Sequence, residues 1–239
     1  TYGKFMFSDL LQELVKIPHD QEIKIRILYT HPAHYDDKLI NTIADNPMIC
    51  PYLDLPLQHI SDNILKRMNR KINKDDILKL ISKLRKKIPN LAVRTSFIVG
   101  FPGETEDDFQ ELHDFIEEYR FEMVGVFPFY NEEECPASKF SGQIPEKIKK
   151  IRLNALMTLQ QKISQELHNE QIGRIIRVLI DEISEKDKKI IIGRSCAEAP
   201  EVDGNIYVLN GDYTDIGKWI DVKITEAHPY SLIGEKICK

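Results

Sequence analysis

Two kinds of apolar spacing alternate between residues 8 and 130, and this alternation constrains the fold more than any other feature. Residues 77–88 carry apolar side chains every three or four positions, which is typical of an amphipathic helix. Residues 91–99 form an apolar run that predicts a buried strand. Three further strands are predicted at 23–27, 52–57 and 123–130, with helices between them. Such alternation predicts a parallel sheet joined by right-handed crossovers.

The pattern changes after residue 140. A long amphipathic helix is predicted there, with an apolar face formed by Ile148, Ile151, Ala155, Leu159, Ile163 and Leu167. Five short strands follow, at 175–183, 189–195, 205–209, 219–226 and 233–238, which is typical of a small closed barrel of the oligonucleotide-binding kind. The predicted domains are a partial α/β barrel over 1–140, a connecting helix over 141–170 and a β-barrel over 171–239.

Composition and charge narrow the class of protein. Of the 239 residues, 42% are apolar and 30% charged, a balance that excludes a disordered chain. The net charge of −5 argues against a protein held to nucleic acid mainly by bulk charge. No window approaches 18 uninterrupted apolar residues, so no membrane span is expected. Residues 1–15 lack a basic region followed by an apolar run, so no signal peptide is expected. Cys50, Cys135, Cys196 and Cys238 lack metal-ligand spacing and predict free thiols in the cytoplasm.

Functional groups of parallel α/β folds gather where the strands end, so these segments are candidate sites. His31 and His34 follow the first strand, and loop hydrogen bonding is preferred to a metal site because no carboxylate or Cys partner is evident. Gln58 and His59 follow the second strand. A ligand contact and an ordinary helix start at Ser61 are equal alternatives there.

The third strand and its turn hold the most unusual residues. Arg94 lies inside an otherwise apolar strand, where a guanidinium is costly unless it meets an anion, either on a ligand or on a structural Asp or Glu. Gly100 and Gly103 would let a flat ligand approach the backbone, or they simply form a tight turn before a helix capped by Thr105. The aromatic residues at 126–130 could pack on a ring or belong to the core.

Taken in order, residues 55–61 (LPLQHIS), 65–70 (LKRMNR) and 94–105 (RTSFIVGFPGET) resemble the radical S-adenosylmethionine methylthiotransferases. The similarity covers nearly the whole chain, and the C-terminal barrel resembles the TRAM domain of that family. One branch of the family modifies an aspartate of small-subunit ribosomal protein S-twelve, and another modifies adenosines in transfer RNA. The protein-modifying branch is favoured by Gln58-His59, where the tRNA branch usually has Gln-Ser-Gly, and by residues 199–204 (APEVDG).

The resemblance implies a mechanism for the whole protein. A reduced iron–sulfur cluster cleaves S-adenosylmethionine, and the resulting radical takes hydrogen from the β-carbon of the aspartate. Sulfur arrives from an auxiliary cluster, and a second S-adenosylmethionine supplies the methyl group. Both 4Fe-4S clusters are implied to be held by cysteines outside this chain. This segment is therefore expected to ligate no metal, to hold no catalytic residue and to be inactive alone.

The resemblance also implies residues that bind the cosubstrate. Arg94 would meet the methionine carboxylate of S-adenosylmethionine, and Gln58 would contact the ribose or polar groups. The remaining positions are implied to line the adenosine or the adenine: Ser96, Ile98, Gly100, Phe101, Val126 and Phe127.

Charge bears on the macromolecular partner. Residues 170–239 contain 13 Asp or Glu against 10 Lys or Arg, whereas an RNA-binding barrel is usually basic. An acidic barrel therefore favours a basic ribosomal protein over tRNA. Two alternatives remain open at this point: a tRNA adenosine methylthiotransferase, and a non-catalytic binding fragment if the chain is natural at this length.

Overall fold

The computed structural model describes residues 6–237. Its strands form a four-stranded sheet and a closed five-stranded barrel. The chain divides into two compact units. One holds residues 27–44 and 53–163, and the rest of the described chain forms the other.

The sheet has the order β1-β2-β3-β4, and β3 and β4 run parallel. Its strands are β1 (Ile25–Ile27), β2 (Ile49–Asp54), β3 (Ala92–Val99) and β4 (Met123–Pro128). The four predicted strands are thus confirmed, although β2 begins at Ile49 instead of residue 52. Pro51 therefore lies inside β2, one residue before the predicted start of the strand.

Six α-helices precede, connect or follow these strands in the described residues. They are α1 (Phe7–Leu14), α2 (Asp37–Asp45), α3 (Asp62–Arg67), α4 (Lys74–Lys87), α5 (Glu106–Tyr119) and α6 (Glu146–Asn169). The predicted cap of α5 is confirmed, because the Thr105 side chain accepts a hydrogen bond from the Asp108 N–H and the Asp108 carboxylate accepts one from the Thr105 N–H. No helix between residues 6 and 237 combines the length and apolar character that crossing a membrane requires.

The barrel has the strand order β5-β6-β7-β9-β8. Its strands are β5 (Ile175–Ile183), β6 (Ile190–Arg194), β7 (Asn205–Leu209), β8 (Trp219–His228) and β9 (Ser231–Lys236). Only the β7–β9 pair is parallel among the pairings of these strands. The interior is filled by branched side chains, including Val178, Ile191, Val208 and Val222. The five-stranded barrel is as predicted, and Cys238 of the predicted last strand lies outside the described residues.

The predicted apolar face of α6 is only partly correct. Ile163 is buried, but Ile151 is 53% exposed, and the polar residues Lys149, Arg152 and Gln160 are buried. These polar side chains can be buried because each finds a partner: the Lys149 ammonium donates to the Phe129 carbonyl at 2.8 Å. The Gln160 amide likewise donates to the Phe121 carbonyl at 2.9 Å. The helix is therefore oriented by hydrogen bonds and ion pairs as well as by apolar contacts.

Candidate functional site

One face of β3 and β4 brings together four of the residues that the sequence suggested. The register pairs Arg94 with Met123, Ser96 with Gly125 and Ile98 with Phe127. Since side chains alternate along a strand, these paired positions share a face. On β3 this face is half-buried, while the intervening residues are buried. Phe127 is 57% exposed, so the face is accessible at the carboxyl end of the sheet.

Arg94 meets a structural carboxylate on this face. Its Nε lies 3.8 Å from Oδ1 of Asp54, at the end of the neighbouring strand. Asp54 also accepts a hydrogen bond at Oδ2 from the Tyr29 N–H, at 3.2 Å. Of the two anions that the sequence allowed for Arg94, the structural one is therefore present. The pair holds the guanidinium beside the end of β2, with 27% of the Arg94 side chain exposed.

A second group of hydrogen bonds fixes the chain beside Asp54. The Thr30 hydroxyl donates to the Asp54 carbonyl at 2.6 Å, and the Tyr35 hydroxyl donates to Thr30 Oγ1 at 2.9 Å. Burial raises the pKa of Tyr35 to about 12; the Thr30 hydrogen bond opposes this and the charge of Asp54 adds to it. The phenol therefore stays protonated and remains a donor.

Gln58 extends the second strand along β3 in an unusual conformation. Its N–H donates to the Ser96 carbonyl and its carbonyl accepts from the Ile98 N–H, both at 2.8 Å. Its φ is +72°, in the left-handed region that costs a non-glycine residue roughly 1 kcal/mol or more. The two backbone hydrogen bonds hold Gln58 there, at the level of Ser96 and Ile98.

A buried network centred on Glu104 supports the turn after β3. The His59 Nδ1 accepts from the Ser61 N–H at 3.0 Å, so the ring proton lies on Nε2 and is donated to Glu104 Oε1 at 3.1 Å. The other Glu104 oxygen accepts from the Gly100 N–H and from Arg152 Nη1, the latter at 2.6 Å. Both the Glu104 and the His59 side chains are fully buried. The network therefore fixes the position of the Gly100 amide.

Three predicted ligand contacts lie away from the open face. Val126 is paired with Phe97, on the opposite face, and is buried. Phe101 is buried, and its ring centroid lies 5.0 Å from that of Phe129. Gly100 has a φ of +73°, and a Cβ there would lie 2.3 Å from Cγ of Lys149. These three residues thus belong to the packing behind the candidate site, whereas Arg94, Ser96, Ile98 and Phe127 lie on its open face.

A third polar cluster ties α3 to α5. Asp108 accepts hydrogen bonds from the Ser61 hydroxyl and, at 3.0 Å, from the Asn63 amide. Burial favours a higher pKa for Asp108, but the hydrogen bonds from Ser61, Thr105 and Asn63 outweigh it and hold the pKa below the usual aspartate range. The sequence predicted Ser61 as a helix cap, whereas its side chain makes no capping hydrogen bond and binds Asp108 instead.

Candidate metal ligands are sparse in residues 6–237. A single group of three, formed by His113, Asp114 and Glu117, has ligand atoms within 4.8 Å of one another, and it contains no cysteine. Cys50, Cys135 and Cys196 are free. At the first strand end, His31 Nδ1 accepts from the Ala33 N–H at 3.2 Å, which confirms loop hydrogen bonding. No three of the described cysteines come together, whereas an iron–sulfur cluster is held by several thiolates.

Sequence reasoning missed the partners that organise this site. Asp54 ends an apolar strand, and Glu104 follows a glycine turn, so each could have been noticed as a charge beside a buried segment. Arg152 lies among the polar residues of α6 and carries no local signal, because its partner is 48 residues away.

Comparison with known proteins gives two matching family models. The model described as "Radical SAM superfamily" matches residues 3–116, and the model described as "TRAM domain" matches residues 172–237. Coproporphyrinogen III oxidase (HemN) from Escherichia coli, a radical SAM enzyme, is structurally similar. The similarity has a TM-score of 0.52 at 15% identity and covers 66% of this chain and 36% of that one. At this identity it supports the fold alone.

Curated relatives are more similar in sequence. The ribosomal protein uS12 methylthiotransferase RimO of Heliobacterium modesticaldum is 46% identical over 99% of this chain and 50% of its own length. The protein of the same name from Clostridioides difficile is 44% identical over 98% of this chain and 52% of its own length. The chain thus spans about half the length of these relatives. With the two domain matches and the mixed fold, this similarity shows that the chain belongs to the radical S-adenosylmethionine methylthiotransferase family, within which it is similar to ribosomal protein uS12 methylthiotransferases.

Proposed function

We propose that this chain forms the cosubstrate- and substrate-binding part of an enzyme that adds a methylthio group to the β-carbon of an aspartate in ribosomal protein uS12. The observation that carries the proposal is the 46% identity, over 99% of the chain, to a uS12 methylthiotransferase. The open face of β3 and β4 supports it, because a cationic side chain, a hydroxyl and an exposed aromatic ring share that face.

Arg94 is the proposed partner of the S-adenosylmethionine carboxylate. Asp54 holds its guanidinium at the Nε edge, and a planar guanidinium can bind a carboxylate through two parallel hydrogen bonds. We assign Ser96, Ile98 and Phe127 to the adenosine, since they share the face of Arg94. Gln58 would contact the ribose. Those three groups and Gln58 lie within the carboxyl half of the sheet, where such folds bind ligands.

Gly100, Phe101 and Val126 were also predicted to contact the cosubstrate. Their packing against Lys149, Phe129 and the interior assigns them a supporting part in this proposal. They would hold the turn and the sheet in shape behind the ligand.

The complete enzyme is proposed to use S-adenosylmethionine and two 4Fe-4S clusters. The clusters would supply the radical and sulfur chemistry, while this chain binds and orients the cosubstrate. Because no three of the described cysteines come together, the cluster ligands are assigned to the part of the relatives that this chain does not span. On this proposal the chain alone holds no catalytic residue and is inactive.

The protein substrate is assigned to the TRAM domain. Residues 170–239 carry 13 acidic and 10 basic side chains, a balance that complements a basic ribosomal protein. Glu182, Glu201 and Glu235 are among the exposed acidic residues of this domain. Since the proposed substrate is a ribosomal protein, the enzyme is placed in the cytoplasm.

The test of the cosubstrate site is a titration of the full-length protein with S-adenosylmethionine. Arg94→Ala is expected to weaken binding at least tenfold, because a charge-assisted hydrogen bond contributes on the order of 1.5–3 kcal/mol. Arg177→Ala is a matched control, since that arginine is exposed on the barrel. Equal affinity for the Arg94→Ala variant and the control would remove the assignment.

The substrate is tested separately with isolated uS12 and with tRNA. Mass spectrometry should find a methylthio group on an aspartate of uS12 and none on tRNA adenosine. Modification of tRNA instead would establish the rival activity, and modification of neither by the loaded full-length enzyme would contradict the proposed function.

A further inference from the structure

Positive charge is concentrated in one segment of an acidic chain. Residues 62–90 contain ten Lys or Arg and three Asp or Glu, a balance of +7, whereas the whole chain carries −5. The remaining residues therefore carry −12. A local field of this sign can attract a polyanion even though the protein as a whole is negative.

The structure arranges part of this charge as a line. Lys79, Lys83 and Lys87 recur every four residues on the exposed side of α4, opposite the buried Ile77 and Ile81. Four helical residues rise about 6 Å, so the three lysines span roughly 12 Å. Together with Lys71, which lines a groove of about 280 Å³ beside Lys79 and Lys83, they form what we call the lysine stripe.

The arginines of the same segment donate hydrogen bonds to backbone carbonyls. Arg67 donates to the Pro102 carbonyl at 2.7 Å, and Arg70 donates to the Pro56 carbonyl at 2.8 Å. Arg85 donates to the carbonyls of Tyr119 and Arg120. The arginines thus stabilise the fold, and the exposed positive charge of the segment is on lysines, including those of the lysine stripe.

Acidic groups pair with two of the four lysines of the stripe, but these pairs are weak. Lys79 pairs with Asp75 at 2.5 Å and Lys83 pairs with Asp37, while Asp76 lines the groove. The Lys83 hydrogen bond lowers the pKa of Asp37, and the charge of Lys87 acts in the same direction. The Lys79 and Asp75 side chains are 73% and 70% exposed, and exposed pairs of this kind contribute only about 0–1 kcal/mol. A partner of high charge density can therefore replace them.

We infer that the lysine stripe is a docking surface for the sugar–phosphate backbone of RNA. A nucleic-acid strand presents charges at regular intervals along a line, as the stripe does, whereas carboxylates on a protein surface have no such regular spacing. A membrane surface fits less well, because the apolar side of α4 is buried and the helix has no apolar face to insert. The inference goes beyond the proposed activity and does not require that activity. The two are compatible, since a ribosomal protein is surrounded by RNA in the ribosome.

The test is the affinity of the full-length protein for a labelled 20-base-pair RNA duplex between 50 and 200 mM KCl, measured by fluorescence anisotropy. Sequence-independent binding with a Kd on the order of 1–100 µM is expected, weakening steeply with salt. The variant Lys79→Gln, Lys83→Gln, Lys87→Gln should lower the slope of log K against log salt by about 2.7, because each lysine that neutralises a phosphate contributes about 0.9 to that slope.

A matched control removes the same charge elsewhere. Lys147, Lys150 and Lys162 are exposed on α6, and changing all three to Gln should leave the slope near that of the wild type. An equal decrease in both variants would show that only net charge matters and would overturn the inference. Absence of RNA binding, or stripe-dependent binding to phosphatidylserine vesicles or polyglutamate but not to RNA, would overturn it as well. None of these readouts depends on methylthio transfer.

Discussion

Arg152→Met should be strongly destabilising, because it leaves a buried carboxylate without its cation. The Arg152 and Glu104 side chains are 6% and 0% exposed, and their Nη1 and Oε2 atoms lie 2.6 Å apart. Removing one partner of such a pair costs about 3–5 kcal/mol. Glu104 keeps its hydrogen bonds from His59 and Gly100, so we expect the lower end of that range. A loss of about 3 kcal/mol lowers the Tm of a domain of this size by roughly 6–12 °C.

The assay compares thermal and urea unfolding of the full-length wild type and variant, followed by circular dichroism. The control is Arg177→Met, which removes an exposed pair with Glu22 and should cost about 0–1 kcal/mol. Hydrogen exchange of the Gly100 amide gives a local readout, since Glu104 accepts its hydrogen bond. A double variant with Glu104→Gln should lose less than the sum of the single losses, by about 0.5–3 kcal/mol. If Arg152→Met costs no more than the control, the ion-pair argument is refuted.

Three further outcomes are expected from other parts of the fold. The pKa of Asp108 is lowered in the folded protein, so its ionised carboxylate stabilises the fold above the usual aspartate pKa, and Asp108→Asn should be clearly less stable than wild type in urea unfolding at pH 7. The difference in stability should shrink as the pH falls through the lowered native pKa, and a difference that does not change with pH would contradict this. Gly193→Ala should destabilise the barrel by about 1–3 kcal/mol or more, because a Cβ there would lie 2.2 Å from the Leu179 carbonyl oxygen. An unchanged Tm in thermal melts would contradict this close approach of the two strands. Tyr52→Phe should lower the free energy of unfolding in urea by about 1.5–3 kcal/mol, because it removes the 2.8 Å hydrogen bond from the buried phenol to Asp203. A change within error of zero would show that this hydrogen bond does not stabilise the protein.

Local signals account for most of the fold that the sequence predicts. The capping residue Thr105 and the acidic residue three positions later mark the start of α5 because both act within one turn of helix. The strand at 205–209 was predicted with the bounds that the structure has, since the branched residues Ile206 and Val208 fill the interior and alternate with residues that are partly or fully exposed. The orientation of α6 could not be predicted in this way. Its buried Lys149 and Arg152 depend on partners in distant segments, which periodicity does not register.

In the candidate site, too, local signals were visible in the sequence and contacts between distant segments were not. An arginine in an apolar strand indicated that an anion lies nearby, and the alternation of β3 placed Ser96 and Ile98 beside it. Neither signal could identify Asp54 as that anion, because the contact depends on the register between two strands. Val126 and Phe127 are neighbours in sequence and lie on opposite faces of the sheet, as alternation along a strand requires, so they do not both face one ring.

The strand order of the barrel has a consequence for its synthesis. β9 is the last barrel strand along the chain, but it lies between β7 and β8, parallel to one and antiparallel to the other. A nascent chain that has not yet released Ser231–Lys236 from the ribosome therefore exposes two unpaired strand edges at the same time. Such edges favour pairing with other chains. Ribosome stalling or a premature stop codon before β9 should thus yield aggregation-prone chains with an open barrel. A stop codon just after Lys236 should still allow the barrel to close, because all five strands are then present.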